Sequence, residues 1–409
     1  MIHSTAVRKR LRLILLALIV VFSAGSFDCT VASARISYSS GADKLAYSLN
    51  NFGGTPSSLM LYDPQTGKSQ SVHTNINFIG FSFDRSGHLR FWSEGSKSRQ
   101  VYSLDALAAN GSLEKINLNT PPNTDMLMWS PDGRYLILTD NKNKHLYVWN
   151  GSTLVDITPD DLSGLDSSYP PYWFVWSRDG RLAFTVSYDV GYPPKSDVSE
   201  VYVWDGKTTT NLSQNPTGED REPSWSADGR LAFLSSRSGE YDIYIWDGIT
   251  TKNGIPDVST YINIAPELIT YYSYPIWTDK DLLSFKAVAS TDEHAQVYLW
   301  DGQNATNISK NPTMHNGSQA WSGDGRWAFA TYFSPQPLVY VRSIDNQTLL
   351  TAEGQYLAWS SNGYLIFCTY TGPEWVLSIW DGNHISEIAR GDEIAAQWQS
   401  GSSMVCSNG

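Results

Sequence analysis

The amino-acid sequence predicts an all-β fold, a β-propeller built from four-stranded antiparallel blades, and three observations support this prediction. Aromatic residues are abundant, with 16 Trp, 23 Tyr and 14 Phe among 409 residues, and β-sheets favour these side chains. One short phrase recurs along the chain at intervals of 38 to 52 residues, a period that holds one four-stranded sheet. A second phrase, typical of a hairpin, lies within most of these intervals.

The composition excludes some classes of protein. With 29 Lys and Arg against 41 Asp and Glu, the net charge is −12, and no basic block exists beyond the first dozen residues. Nucleic-acid binding depends on Lys and Arg that neutralise phosphates, so we expect no nucleic-acid partner. Hydrophobic residues make up 41% of the chain and charged residues 17%, which is enough to bury a large core.

The amino terminus, residues 1–34, has the pattern of an export signal. A basic stretch from Arg8 to Arg12 precedes an uncharged run from Leu13 to Phe27, and small residues end at Ala34. The run is shorter than the roughly 20 residues that span a bilayer, which favours a signal peptide cleaved after Ala34 over an uncleaved signal anchor. We therefore expect a periplasmic, extracellular or cell-surface protein with no membrane span after cleavage.

The first phrase combines an aromatic residue, Ser, a turn with Asp-Gly, a basic residue and an apolar strand. The clear copies are Trp129-Ser-Pro-Asp-Gly-Arg134, Trp176-Ser-Arg-Asp-Gly-Arg181, Trp225-Ser-Ala-Asp-Gly-Arg230 and Trp321-Ser-Gly-Asp-Gly-Arg326. Weaker copies start at Tyr38, Phe81, Trp277, Trp359 and Trp398. We interpret the Asp residues of these turns, such as Asp132 and Asp228, as partners of their own loops rather than metal ligands.

The second phrase is a strand that ends in Trp and a tight turn, as in Val201-Tyr-Val-Trp-Asp-Gly206 and Ile243-Tyr-Ile-Trp-Asp-Gly248. Asn-Gly and Asp-Gly supply the positive φ angles that a tight hairpin needs. The apolar residues of these strands are nearly continuous, so both faces of each sheet must be covered. Propeller blades meet this requirement because each blade packs between two neighbours.

Nine copies of the first phrase bound eight intervals, which favours eight blades; seven blades with a partly redundant repeat is the alternative. We expect the ninth copy to close the ring by pairing with a strand near Ile36–Tyr38, which would bury Trp398. Residues 35–409 would then form one propeller domain, and we expect a monomer.

The phrase Trp-Ser-Pro-Asp-Gly-Arg followed by an apolar strand resembles the WD40-like PD40 repeat family. Such repeats form the propeller of the periplasmic protein TolB and the propellers of prolyl oligopeptidase-like enzymes. The resemblance covers roughly residues 35–409 and implies the propeller architecture, whereas propellers of this kind serve unrelated functions.

Two cysteines, Cys368 and Cys406, remain after the predicted signal and follow apolar pairs at matching places in successive repeats. We favour two buried thiols over one disulfide. The spacing of Cys and His predicts no zinc site, and we expect no metal or other cofactor.

The two tight turns of each repeat must emerge at one end of the propeller, and the longer, variable connections at the other. Loops on a rigid scaffold carry function, so the variable-loop face is the candidate binding site. Its aromatic and charged residues resemble the anchors of protein interfaces and sugar-binding surfaces. The candidate binding residues are Tyr172, Tyr188, Tyr192, Glu219, Asp220, Arg221, Tyr271, Tyr272 and His315. For Trp173 and Phe174, we favour inward-facing strand positions.

Catalytic motifs are absent from the sequence, including Gly-x-Ser-x-Gly, the Walker loop and His-Glu-x-x-His. We therefore assign no catalytic residue. The leading hypothesis is an exported, non-enzymatic propeller that binds a protein or envelope component. One alternative is a lyase or hydrolase acting on a polysaccharide, since carboxylates are plentiful on the variable face. Another is an accessory propeller of a separately encoded enzyme.

Overall fold

The computed structural model describes most of the chain after residue 42. The described residues are 43–51, 55–84, 87–94, 99–105, 113–116, 124–130, 133–140, 142–160, 172–189, 197–252, 255–264, 266, 268–269, 274–289, 294–310, 316–331, 336–343, 345–372, 374–398 and 403–406. The predicted signal, residues 1–34, and the segment Ile36–Tyr38 lie outside them. Among the described residues, no helix is long and apolar enough to span a membrane.

The structure is an eight-bladed β-propeller, which confirms the predicted fold and blade number. Blades 1 and 2 share one sheet, with strands β34 (Glu393–Trp398), β1 (Leu45–Asn51), β2 (Thr55–Asp63), β3 (Lys68–Phe83), β4 (His88–Glu94), β5 (Arg99–Asp105) and β6 (Leu113–Ile116). Blade 3 has β7 (Thr124–Trp129), β8 (Leu136–Asp140), β9 (His145–Trp149) and β10 (Leu154–Asp156). Blade 4 has β11 (Tyr172–Trp176), β12 (Leu182–Asp189), β13 (Asp197–Trp204) and β14 (Thr209–Asn211).

The remaining blades follow the same plan with local departures. Blade 5 has β15 (Asp220–Trp225), β16 (Leu231–Ser235), β17 (Asp242–Trp246) and β20 (Ile262–Asn263), with a small hairpin of β18 (Thr251–Lys252) and β19 (Ile255–Pro256) and a 3₁₀ helix (Val258–Thr260) inserted. Blade 6 has β21 (Leu268–Ile269), β22 (Ile276–Trp277), β23 (Leu283–Ala289), β24 (Gln296–Trp300) and β25 (Ala305–Asn307). Blade 7 has β26 (Asn316–Trp321), β27 (Trp327–Thr331), β28 (Leu338–Arg342) and β29 (Thr348–Glu353). Blade 8 has β30 (Gln355–Trp359), β31 (Leu365–Tyr370), β32 (Trp375–Trp380) and β33 (Ile385–Gly391).

The first strand of each blade lies nearest the centre of the ring. First strands of neighbouring blades contact each other, as β11 does β15 and β26 does β30. Second strands such as β8, β16 and β27 are fully buried, whereas fourth strands such as β29 are largely exposed. The hydrophobic clusters cross from blade to blade, so the core lies mainly between blades rather than within them.

The carboxyl-terminal repeat closes the ring, although not through the predicted partner. Strand β34 takes the first-strand position of blade 1 and pairs with β1, Trp398 lying opposite Leu45. Its other edge pairs with β35 (Ser403–Cys406), so β34 has no edge left for Ile36–Tyr38. Trp398 is fully buried, as expected from closure.

Cys368 and Cys406 form a disulfide, with 6.3 Å between their Cα atoms, so the favoured interpretation of two thiols was wrong. In a regular repeat these two positions would lie one blade apart. Here β35 does not become the second strand of a further blade; it lies beside β34 and contacts β30 of blade 8. This position brings Cys406 next to Cys368 of β31, and the disulfide fastens the closing hairpin to blade 8.

The two tight turns of a repeat lie together at one end of the propeller, as predicted. In blade 5, a Cβ on Gly248 would come 2.1 Å from the carbonyl oxygen of Gly229, so only glycine allows this approach. Gly248 also has a φ of +88°, which disfavours other residues. Asp228 accepts hydrogen bonds from Ser226 and Arg230 of its own turn, which agrees with a structural role.

The basic residue of the first phrase reaches into the next blade. Arg181 of blade 4 lies 4.4 Å from the ring centroid of Trp225 in blade 5, and donates hydrogen bonds to the carbonyl oxygens of Gly248 (3.0 Å) and Gly229 (3.1 Å). Arg326 of blade 7 similarly lies over Trp359 of blade 8. A guanidinium on an aromatic face that also bonds carbonyl oxygens links two neighbouring blades.

In three blades the Trp of the first phrase also reaches back into the preceding blade. The indole Nε1 atoms of Trp225, Trp359 and Trp398 each donate a 3.2 Å hydrogen bond to a backbone carbonyl oxygen of the blade before. We call the contact of this Trp with the Arg or Tyr from the preceding blade the inter-blade latch. The repeated phrase therefore encodes the junction between blades.

Replacing Arg181 by Met should lower the free energy of unfolding by about 2 kcal/mol, because two charged hydrogen bonds and the contact with Trp225 are lost. Arg178→Met is the matched control, since Arg178 lies in the same turn but is exposed, and its Nη2 atom lies 3.6 Å from Asp279 Oδ1. Urea denaturation followed by circular dichroism measures both. Equal destabilisation by the two variants would contradict the latch.

Removing the disulfide in Cys368→Ser/Cys406→Ser should lower the free energy of unfolding by up to about 4 kcal/mol, since the bond closes a loop with a sequence separation of 38. Denaturation of the native chain with and without reductant gives an independent measurement. Reductant should destabilise the native chain and leave the double variant unchanged. A native chain indifferent to reductant would disprove the stabilising role.

Candidate functional site

The variable-loop face begins where the first strands enter the ring, and β15 brings a charged segment to this end. Glu219 precedes β15, Asp220 and Arg221 start it, and Glu222 follows with a positive φ of 59°. The strand contains a bulge between Arg221 and Ser224. The positive φ and the bulge change the direction of successive side chains, so the four charged residues face different surroundings.

Arg221 and Glu219 lie at the surface. The Arg221 guanidinium stacks over the ring of Tyr241 at 4.8 Å, and its Nη1 lies 3.5 Å from Glu219 Oε2. The two side chains are 21% and 37% exposed. Both side chains are therefore partly accessible to solvent.

Asp220 is fully buried and belongs to a polar network between blades 4 and 5. Its Oδ1 lies 3.3 Å from Arg237 Nη2, and Arg237 also donates to the carbonyl oxygen of Ser213 at 2.9 Å. Burial raises the pKa of Asp220 to about 6 against the opposing effect of Arg237. A direct contact between Asp220 and a ligand would require this ion pair to open.

Glu200 completes this network from β13. It accepts hydrogen bonds from the Ser213 hydroxyl and from the backbone N–H of Asn215, the latter at 2.9 Å. Burial raises the pKa of Glu200, although these hydrogen bonds and Arg237 oppose the shift. The network binds β13, β15 and the loop after β14 together, and it thereby fixes the position of the surface pair Glu219–Arg221.

A second cluster lies where three consecutive blades converge near the axis of the ring. Trp173 of blade 4 stacks on Tyr274 of blade 6, with ring centroids 5.5 Å apart, although blade 5 lies between these blades in sequence. Lys286 Nζ lies 4.8 Å from the centroid of the Tyr274 ring. Trp173, Tyr274 and Lys286 are all half-buried. This stacking is geometrically feasible only near the axis.

Glu222 of blade 5 belongs to the same cluster and is only 4% exposed. Burial raises its pKa to about 7, and the positive charges of Arg221 and Lys286 oppose the shift. Arg221 Nε lies 3.8 Å from Glu222 Oε1, and no described group donates a hydrogen bond to Oε2. We call Trp173, Arg221, Glu222, Tyr274 and Lys286 the axial cluster.

The remaining sequence-predicted residues are placed only in part. Tyr172 begins β11 and Tyr188 lies near the end of β12, both on the side of the variable loops. Tyr192, Tyr271, Tyr272 and His315 lie outside the described residues. The binding role of the whole set stays a prediction. Phe174 packs against the core of blades 3 and 4, in agreement with an inward strand position.

Glu222 and the pairing of Trp173 with Tyr274 were not predicted from the sequence. One signal existed: Trp173, Glu222 and Tyr274 each precede the Trp of the first phrase by three residues, as does Tyr356. Three of these four have positive φ values, so the position is structurally equivalent in different blades. An aromatic residue is replaced by a carboxylate only at Glu222.

The carboxylates at this end of the propeller lie in different surroundings. Among the described residues, no group of three or more His, Cys, Asp or Glu side chains could hold a metal ion. Glycoside hydrolysis needs two carboxyl groups on either side of the scissile bond. At this end, Asp220 is held by Arg237 inside the protein, whereas Glu222 lies in the axial cluster with aromatic and cationic neighbours.

No known family model matches the chain, and no curated protein matches it in sequence. Its fold is similar to that of dipeptidyl peptidase 4 from Porphyromonas gingivalis, with a TM-score of 0.55 and 14% identity over 84% of this chain and 59% of that one. Prolyl oligopeptidase B from Galerina marginata gives a TM-score of 0.54 and 12% identity over 80% and 54%. TolB from Acinetobacter baumannii gives a TM-score of only 0.38, with 18% identity over 77% of this chain and 65% of that one.

The two peptidase structures show the propeller fold alone, because their identities to this chain are low. The chain spans less than two thirds of the length of the two peptidases that it matches.

Glu222→Gln should reduce the pH dependence of stability above pH 6. The folded protein keeps a proton on Glu222 up to about pH 7, whereas the unfolded chain loses it near 4.5, so this stabilisation is lost as the pH rises. From pH 6 to 8 the native chain should lose about 1 kcal/mol of unfolding free energy through this group. Urea denaturation at several pH values measures the loss.

The exposed neighbour provides the control for this experiment. Glu219→Gln removes a carboxylate from the same segment and should leave the decline between pH 6 and 8 intact. Asp220, with a pKa of about 6, titrates mostly below this range. If the unfolding free energy of Glu222→Gln fell as much between pH 6 and 8 as that of the native chain, Glu222 would be ionised in the folded protein over this whole range.

Proposed function

We propose that this chain is an exported propeller without catalytic activity of its own, which binds a protein or another component of the cell envelope through its variable-loop face. The observation that carries the proposal is the axial cluster. It combines two stacked, half-buried aromatic rings with two cationic side chains at the inner end of three blades.

The physical chemistry of the cluster supports a binding role. Trp, Tyr and Arg dominate the energetic centres of protein interfaces. Trp and Tyr offer large contact areas and few conformations to restrict, and Arg offers a planar guanidinium with several hydrogen-bond donors. Trp173 and Tyr274 are prearranged by their mutual stacking, and Arg221 by Tyr241, so little ordering would be needed on binding. A rigid ring of blades would hold these groups in fixed positions around the axis.

Export is supported by the sequence of residues 1–34. The disulfide agrees with such a location, because disulfides persist mainly in oxidising compartments outside the cytosol.

A second candidate is an accessory role for a separately encoded enzyme. The observation that favours it is the similarity of the fold to dipeptidyl peptidase 4 and prolyl oligopeptidase B, which rests on fold alone. Under this proposal the variable-loop face would bind the enzyme, so the same surface is used and the identity of the partner distinguishes the two candidates.

Cross-linking and affinity capture from the native envelope and secreted fraction test the proposal, with the full chain as bait and mass spectrometry to identify what is bound. Trp173→Ala/Tyr274→Ala and Arg221→Ala should each reduce recovery of the partner at least about tenfold, as expected for interface anchors. A captured hydrolase would favour the accessory role.

Matched substitutions at the tight-turn end serve as controls. Trp149→Ala and Arg178→Ala change the same types of side chain away from the variable-loop face, and they should leave capture unchanged. Capture that survives both axial-cluster variants would place the interaction elsewhere. If the native chain captures nothing but cleaves an envelope polysaccharide, the non-enzymatic proposal is wrong.

A further inference from the structure

The described latches use an arginine or a tyrosine of the preceding blade, and the junction of blades 6 and 7 has neither on its repeat Trp. At blades 3 and 4, Tyr135 stacks on Trp176 with centroids 6.0 Å apart. In three other blades the residue five positions after the repeat Trp covers the Trp of the next blade: Arg181 lies over Trp225, Arg230 over Trp277 and Arg326 over Trp359. At the ring closure Tyr364 occupies this position and stacks on Trp398 with centroids 6.3 Å apart. We call the space beside the repeat Trp, between two neighbouring blades, the slot. In the blades named above, a guanidinium or a phenol ring fills it.

Blade 6 has no such residue, because its phrase reads Trp277-Thr-Asp-Lys-Asp-Leu-Leu283. The position of Arg181, Arg230 and Arg326 is occupied by Leu282, whose side chain is shorter and apolar. A cavity of about 200 Å³ lies at this junction of blades 6 and 7. Its lining includes Leu282, Leu299, Ile308, Trp321, Gly325 and Trp327.

The groups that receive the guanidinium in the other latches are still present. Trp321 is the repeat Trp of blade 7, and Gly325 is the equivalent of Gly229 and Gly363, whose carbonyl oxygens accept hydrogen bonds from Arg181 and Arg326. No described residue donates a hydrogen bond to the carbonyl oxygen of Gly325. The junction therefore keeps the receiving half of a latch without the arginine.

Trp327 compensates for part of the missing side chain. It replaces the Leu that follows the Arg in blades 4 and 5, and its ring stacks on Trp321 with centroids 5.7 Å apart. The cavity persists despite this stacking, and both rings contribute to its wall. The contrast with the junction of blades 2 and 3 is clear, since Arg90 lies there over Trp129 at 4.2 Å.

We infer that the junction of blades 6 and 7 is a binding site for an arginine side chain of a partner protein. The guanidinium lies against the Trp321 and Trp327 rings and donates to the carbonyl oxygen of Gly325, as Arg181 does to Gly229. The carboxylate of Asp279 lies at the mouth, close to Gly323, where it already faces the Arg178 guanidinium at 3.6 Å, so the recognition rests on the ring of Trp321 and the carbonyl oxygen of Gly325. This site is at the tight-turn end and does not depend on the proposed function of the variable-loop face.

Two lysines at the rim set the strength of this interaction. Lys280 and Lys310 are exposed and line the cavity, and Lys280 takes the place of Asp228, which binds Arg230 in blade 5. Their charges weaken the binding of a cation. For an isolated arginine peptide we therefore expect a dissociation constant on the order of 1 mM, and a larger partner would add further contacts.

The test is an NMR titration of the full chain with the peptides acetyl-Gly-Arg-Gly-amide and acetyl-Gly-citrulline-Gly-amide. Citrulline has nearly the same shape as arginine but no charge. The arginine peptide should bind at least about tenfold more tightly. Leu282→Arg should abolish this preference and raise the melting temperature, because the side chain restores the latch from within. Leu282→Met, the matched apolar control, should retain the preference.

A second variant tests the inference even if Leu282→Arg does not fold. Lys280→Asp changes an exposed residue and restores the carboxylate of the other latches, so it should tighten binding of the arginine peptide about tenfold without affecting the citrulline peptide. Equal affinity for the two peptides would overturn the inference. Tighter binding of acetyl-Gly-Glu-Gly-amide than of the arginine peptide would show that the lysines make an anion site instead.

Discussion

The contact of a tryptophan with an arginine or tyrosine of the preceding blade is the interaction on which this propeller depends. Each blade is a twisted sheet with two apolar faces, and it is stable only when both neighbours cover them. The latch adds direction to this packing: an indole N–H bonds backward, as from Trp225 to Val175, while a guanidinium reaches forward, as from Arg181 to Gly229. Blades 4 and 5, and blades 7 and 8, are thereby joined by bonds in both directions.

This function of the phrase explains how much of the fold could be predicted. A junction sequence must recur once per blade, so its copies gave the blade number and the common end of the tight turns. The closing strand and the disulfide could not be derived in the same way. From the sequence, a strand from either end of the chain could be the first strand of blade 1. The choice depends on tertiary contacts around Leu45 and Trp398, which local sequence does not reveal. Once β34 takes that place, β35 is displaced toward blade 8, and the cysteines meet.

The candidate site could be predicted only where the neighbouring residues in the sequence determine whether a side chain is buried or exposed. Glu219 and Arg221 were proposed as binding residues because charged residues in a variable connection are typically exposed, and the structure leaves both partly exposed. The same reasoning gave no indication that Asp220 pairs with Arg237 inside the protein. Glu222 was overlooked because its importance comes from Trp173 and Tyr274, each roughly 50 residues away in sequence. The ring geometry brings equivalent positions of successive blades together, so aligning the repeats by structure reveals the cluster.

Departures from the repeat are informative because each one gives up interactions that the other blades retain. Blade 6 departs most: its first strand is divided into β21 and β22, and its turn lacks both the glycine and the arginine. Trp327 and Arg342, which donates to the carbonyl oxygens of Ile308 and Ser309 of blade 6, restore part of the lost contact with blade 7. This compensation stabilises the junction without refilling the slot beside Trp321. A single change at Leu282 to arginine would refill this position from within the chain. The open space beside Trp321, next to residues that stabilise the junction in another way, is therefore a geometry that a side chain from outside can occupy.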